Sequence, residues 1–196
     1  MASLLIAVER GAGAPPLPPP PPTVDRPGVQ GNWVGQYGSD GYVIAAWNQP
    51  SADLAVLPAG VGYTIEQGSR TGTAWPQPTT DVRALESPTE SERRAGAWYH
   101  ASETRLRLTF ASAYSGTLHL YAVDWGTTTR REDVTVDDGS GPRTAKLTTS
   151  FNAGAWLHYP VSVPAGGSIV IKVVEKAPGS NTAVLSGVFL GGPTAP

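Results

Sequence analysis

The chain has no cysteine. Disulfides, thiolate metal sites and cysteine nucleophiles are therefore excluded. The compartment stays open, because a domain of this size folds without staples. Charge is scarce as well: 15% of 196 residues, with a net charge of -2. No basic field is available to attract nucleic acid. Arg93 and Arg94, and Arg130 and Arg131, are short pairs with carboxylates nearby and read as solvated loop charges. No apolar run approaches the roughly 20 residues of a membrane span. Residues 2–8 are faintly signal-like, but they lack a basic start and Glu9 and Arg10 interrupt them, so no secretion signal is expected.

Catalytic patterns are also missing. The three histidines, His100, His119 and His158, share no metal-ligand spacing, so no metal and no cofactor is expected. Each lies in a strand-like run. His119, between Leu118 and Leu120, points away from their face and reads as a satisfied sheet or surface histidine. No G-x-S-x-G elbow occurs, and Gly35, Gly38 and Gly41 do not make a phosphate loop. Asp124, Glu132, Asp133, Asp137 and Asp138 cluster in sequence without the paired placement that glycoside hydrolysis needs. A non-enzymatic protein is expected. Asp137, Asp138, Gly139 and Ser140 offer oxygen ligands to calcium, but Asp and Gly are equally the residues of a hairpin turn, and the turn is preferred.

What is present points to an all-β protein. There are 23 glycines, 19 prolines and 40% hydrophobic residues, a composition of many turns and few long helices. Residues 4–8 form a short apolar, strand-like run. Residues 11–28 are rich in proline, which fixes φ and removes the amide donor. Residues 15–22 should form a polyproline II rod of roughly 25 Å. The expected division is a strand and proline-rich arm or linker over residues 1–28 and one β-sandwich domain over 29–196.

From Val29 onward, short apolar-alternating runs lie between Gly, Pro, Asn and Asp clusters. Residues 41–47 and 60–65 are two such runs. Residues 104–111 put Leu106, Leu108 and Phe110 on one face and Arg105, Arg107 and Thr109 on the other, a strand with one wet side. Residues 117–124 follow a turn at 114–116, an expected hairpin. Residues 132–136 and 143–149 flank a second hairpin turn. Residues 156–163, 168–175 and 183–190 complete the set. The one helical candidate is residues 87–97. This pattern predicts an antiparallel β-sandwich or jelly roll.

The aromatics are six tryptophans and seven tyrosines against three phenylalanines. Both types carry an apolar face and a polar edge, suited to half-wet surfaces and to the C–H faces of sugar rings. Most of these rings are expected to plug the ends of the sandwich core; Trp75, among loop residues and prolines, and Trp125, at a strand end before Gly126, are the two candidates for exposure.

The run from Gly31 to Ile44 (GNWVGQYGSDGYVI) resembles the opening of a module of bacterial secreted proteins and phage tail proteins. Residues 120–136, Phe151 to Trp156 with Tyr159, and residues 181–190 are similar to galactose-binding-like carbohydrate modules. The resemblance covers roughly residues 30–191. It implies a jelly roll that binds glycans at one end or on one face, through solvent-facing aromatics and an Asn near the last strand, where Asn181 stands. The ligand-binding positions expected are Trp75, Trp125, Arg130 and Asn181. Two settings stay open. One is a structural or adhesive protein on a phage virion surface, a minor tail or capsid-decorating protein. It would dock to other virion proteins through residues 1–28, form a homo-oligomer and take host glycans. The other is a carbohydrate-binding accessory module of a secreted polysaccharide-degrading enzyme.

Overall fold

The computed structural model describes residues 19–177, 179 and 182–193. The apolar run at residues 4–8, most of the proline arm, and Asn181 lie outside them. Among the described residues every regular element is a strand: β1 (Thr23–Asp25), β2 (Gly41–Asn48), β3 (Ala52–Val56), β4 (Val61–Gln67), β5 (Ser69–Arg70), β6 (Leu85–Glu86), β7 (Arg93–Arg94), β8 (Trp98–His100), β9 (Glu103–Phe110), β10 (Tyr114–Ala122), β11 (Glu132–Asp137), β12 (Arg143–Leu147), β13 (Ala155–Val163), β14 (Ser168–Glu175), β15 (Ala183–Leu185) and β16 (Gly187–Leu190). A six-stranded sheet, β1-β13-β10-β16-β2-β3, packs on a five-stranded sheet, β12-β11-β14-β9-β4, and all their pairings are antiparallel. The chain folds as the all-β sandwich its sequence implies.

Period-two alternation builds the core between the sheets. Leu106, Leu108 and Phe110 of β9, Ile169, Ile171 and Val173 of β14, and Val134 and Val136 of β11 are buried. Opposite residues of an antiparallel pair share a face, so Leu118, Tyr159 and Leu190 form one column of the facing sheet and Leu120, Leu157 and Val188 the next. The Tyr159 hydroxyl crosses the core and donates to the Val134 carbonyl at 2.7 Å. The outer face of the five-stranded sheet is wet and laced with ion pairs, including Arg107 to Glu66 and Lys172 to Glu103.

The six-stranded sheet has no wet face over most of its middle. Its outer columns, His119 with His158 and Phe189, and Tyr121 with Trp156, are fully or almost fully buried. Residues 29–38 lie over them as a lid. The Trp33 ring sits 4.5 Å from Tyr42 and 5.1 Å from Phe189, and Tyr37 sits 4.4 Å from both Trp156 and His119. Indole donors pin the lid: Trp33 Nε1 to the Glu86 carbonyl (2.8 Å) and Trp156 Nε1 to the Gln30 carbonyl (2.7 Å). Two glycines of the lid are sterically required. A Cβ on Gly31 would stand 1.9 Å from the Ala84 carbonyl oxygen, and Gly38 has φ +80° with Phe189 and Trp33 against it.

Several expectations need correction. β9 and β10 are not a hairpin, because they belong to opposite sheets and residues 111–113 cross between them. Residues 87–97 hold no helix; Glu90 has φ 56°, the Ser87 hydroxyl accepts from Ser91 N, and the chain returns through β7. Residues 183–190 are two strands in different sheets, broken at Ser186. Of the two readings open for His119 and His158, surface or sheet histidine, the structure gives buried sheet histidines under the lid. The sandwich also takes in β1, which lies within the stretch read as arm and pairs with β13 through Thr23, Val24 and Asp25. Just before β1, the Pro20 carbonyl and that of Pro160 on β13 both accept from Arg143 Nη1. Prolines along this edge present no amide to a further strand, which protects it from edge-to-edge pairing.

The acidic turn after β11 is a hairpin turn. Asp138, 3% exposed, is ion-paired with Arg143 (2.9 Å) and accepts from Ser162 N (3.0 Å). No helix among the described residues is long and apolar enough to cross a membrane.

Candidate functional site

With one sheet face covered by the lid and the other occupied by ion pairs, the loop end of the sandwich holds a hollow lined by two aromatic side chains and an arginine. There β15, β8 and β5 form a small three-stranded sheet. In β8 the alternation sends Trp98 into the core, fully buried, and leaves Tyr99 outward with 38% of its surface exposed. Tyr99 stands directly opposite Val184 of β15 and beside Ser69 of β5. The chain from Thr71 to Trp75 closes the next side, held by Thr71 N to the Ala97 carbonyl (2.9 Å) and Ala97 N to Thr71 Oγ1 (3.0 Å). The result is a pocket of about 230 Å³ in which Trp75, Tyr99, Arg130 and Thr182 are the principal lining side chains. That is below the roughly 300–1,000 Å³ of drug-sized ligand sites and fits one small unit.

Arg130 enters this pocket from the loop after β10 and is held by three partners. Nη1 donates to Asp124 Oδ1, Nε to the Thr182 carbonyl (3.1 Å) and Nη2 to Thr182 Oγ1 (3.3 Å). Asp124 is fully buried and also accepts from Thr127 Oγ1 and from Arg130 N. A buried carboxylate with this many donors is a rigid counter-charge, so the guanidinium is oriented and locally neutralised. A guanidinium has five N–H groups; one on each Nη remains for a ligand oxygen.

The two loop tryptophans meet. Trp75 stacks on Trp125 with ring centroids 6.0 Å apart and planes 29° off parallel. The Arg83 guanidinium caps Trp125 at 4.5 Å, and Asp81 in turn holds Arg83 (2.7 Å). Neither candidate ring is fully exposed: Trp75 is 9% exposed, and Trp125 is half-buried. Stacking covers one ring with the other. Trp75 still lines the pocket, and Trp125, stacked on it, does not.

Of the four positions expected from the sequence, Trp75 and Arg130 therefore share one pocket, Trp125 backs it, and Asn181 lies outside the described residues next to the lining residue Thr182. The residue that sequence reading missed is Tyr99. Alternation in the Trp-Tyr-His run at 98–100 puts Tyr99 outward only once Trp98 is known to face inward.

Behind the pocket the core ends in carboxylates. Glu132 is 1% exposed, and its Oε1 accepts from Val184 N (2.7 Å). Burial first, and then the neighbouring Glu175, push its carboxyl well above the usual carboxylate range.

A scan of family models finds no match, and no curated protein matches. Solved structures similar to the chain include carbohydrate-binding modules. One is TmCBM61 in complex with β-1,4-galactotriose, at 11% identity and TM-score 0.38, covering 69% of this chain and 90% of that one. A family 32 module from Clostridium perfringens, in complex with GalNAc-β-1,3-galactose, is 12% identical with TM-score 0.37, covering 67% and 95%. A family 35 module from an environmental isolate is 18% identical with TM-score 0.32, covering 48% and 72%.

Proposed function

We propose that the chain is a non-catalytic saccharide-binding module that holds one sugar unit in the pocket of Trp75, Tyr99 and Arg130. The observation that carries this reading is that an exposed Tyr99 ring and a pre-oriented guanidinium line the same hollow. An aromatic face takes the C–H side of a pyranose ring, and hydroxyls need fixed donors at its rim. Arg130 supplies donors without a net charge, because Asp124 balances it. That favours neutral sugars. No carboxylate or histidine lines the pocket among the described residues, so no acid–base pair stands ready for hydrolysis, which supports binding over catalysis.

The same pocket serves either setting, an accessory module of a secreted polysaccharide-degrading enzyme or an adhesive protein on a virion surface. Both place the ligand outside a cell. Calorimetry against a panel of neutral oligosaccharides tests the reading. Tyr99→Ala and Arg130→Gln should each weaken the best ligand at least about tenfold, which is about 1.4 kcal/mol, while the unfolding midpoint of Tyr99→Ala stays close to that of the parent. Unchanged affinity in both variants would refute it.

A further inference from the structure

Glu132 is the first residue of β11, and alternation aims it inward with Val134 and Val136. Directly opposite on β14 stands Glu175, just as Val173 faces Val134 and Ile171 faces Val136. Opposed residues of an antiparallel pair have Cβ atoms about 4.5–5.5 Å apart, so two carboxyl groups meet at one end of the core. Each spends one oxygen on a backbone amide: Glu132 Oε1 accepts from Val184 N (2.7 Å), and Glu175 Oε1 from Ala177 N (2.6 Å). The remaining oxygens, both Oε2, are buried and have no hydrogen-bond partner among the described residues. Two ionised carboxylates placed in this way would repel, each with a bare oxygen cut off from water, a costly arrangement. A single proton held between the two carboxyl groups would relieve the repulsion and give the bare oxygens a common partner.

We propose that Glu132 and Glu175 hold one proton between their inner oxygens at neutral pH, and that this carboxyl pair anchors Val184 and with it the β15 wall of the pocket. Val184 follows Ala183 and Thr182, and Thr182 holds Arg130, so the pair is a positioning element for that side of the site. The groups facing Glu132 account for the proton. Glu175 from β14 and Asp124 from the loop after β10 repel its ionised form, Arg130 attracts it, and β12 offers only Leu147 opposite. Burial is the largest effect and acts with the repulsions. A carboxyl raised in the folded state contributes stability that is complete below its unfolded value and is lost as pH rises through the folded one. The weakness therefore lies on the alkaline side. The proton itself does not depend on the saccharide reading; only the consequence for binding does.

The experiment is urea unfolding of the parent, Glu132→Gln and Glu175→Gln from about pH 5 to about pH 9, with infrared spectra of the parent and Glu132→Gln at neutral pH. In Glu132→Gln the amide keeps the acceptor for Val184 N and donates permanently to Glu175. Its midpoint should exceed that of the parent at the alkaline end and converge toward it at the acid end. In Glu175→Gln the amide donates to Glu132, so that profile should flatten as well. A carboxylic-acid C=O band should be present in the parent and absent in Glu132→Gln. Parallel pH profiles, or no such band in the parent, would overturn the proposal. If the band and the flattened profiles appear while no oligosaccharide binds, the proton pair stands and the reading of the pocket falls.

Discussion

His119 and His158 stand opposite each other on β10 and β13, with their Nδ1 atoms 2.6 Å apart and both rings almost completely buried under Tyr37. One ring must donate and the other accept, so the contact needs one hydrogen on the shared line. Both Nε2 atoms are buried without a hydrogen-bond partner among the described residues. Asp25 Oδ2 lies 3.4 Å from His158 Nε2, an ion-pair distance without hydrogen-bond geometry, and the Asp25 side chain is 48% exposed.

This pair should make the fold sensitive to mild acid. Burial, helped by His158, lowers His119 to about 3, and burial lowers His158 despite the opposing pull of Asp25. Unfolded histidines take up protons near pH 6.5, so the unfolded state binds them first. Stability contributed by the neutral pair is complete above about pH 6.5 and declines as pH falls below it, by up to about 1.4 kcal/mol per pH unit for each proton. The check is the urea midpoint of the parent and of His119→Gln between about pH 7 and about pH 5. The parent should fall more steeply, whereas equal slopes would show that the pair does not titrate on unfolding.

A second expectation concerns Asp53 on β3, whose side chain is wholly buried. It accepts from both Arg70 Nε and Nη2 (2.7 Å each), Ala46 N (2.8 Å), Tyr63 Oη (3.0 Å) and Trp98 Nε1 (3.1 Å). It thus ties β2, β4, β5 and β8 to one carboxylate. Asp53→Ala leaves a partly buried guanidinium and three further donors without their acceptor, and should cost about 3 kcal/mol or more. Thermal unfolding measures this. A midpoint within a degree or two of the parent would mean water replaces the carboxylate at little cost.

A third concerns where the domain begins. A chain starting at residue 19 keeps β1, the Asp25–His158 contact and the donation of Trp156 to Gln30. It should unfold at the parent midpoint. A chain starting at residue 29 loses β1 and opens the β13 edge beside His158. It should be less stable and more prone to self-association through that edge. Light scattering and thermal unfolding of the two truncations distinguish them, and equal behaviour would show that β1 adds nothing to the sandwich.

The strands with one wet face were legible because their alternation is clean. β9, β14 and the β11–β12 hairpin all follow from residues such as Leu106 and Arg107, or Ile171 and Lys172, falling on opposite sides. The six-stranded sheet was harder. Alternation correctly sent His119 away from Leu118 and Leu120, but it left open whether that face meets solvent or protein, and a lid centred on Tyr37 covers it. Long-range cover leaves no local signature beyond the two-sided apolar run around Leu120 and Tyr121. The β9–β10 turn was misread for a related reason: hairpins and sheet-to-sheet crossings use the same small polar residues. At the pocket, Trp75, Trp125 and Arg130 stood out as loop residues. Tyr99 did not, because its exposure depends on which way Trp98 faces, and that is set by Asp53, 45 residues away.

In the proposed function a sugar sits against Trp75 and Tyr99. The most direct test is a heteronuclear NMR titration of the six indole N–H signals with the tightest oligosaccharide from the calorimetric panel. The Trp75 indole and the Tyr99 backbone amide should shift with saturation, the stacked Trp125 should follow, and Trp33, Trp98 and Trp156, whose indoles donate within the core and lid, should stay in place. Shifts confined to the lid or the sheet edge, or no shift with any neutral oligosaccharide, would contradict the assignment of this pocket.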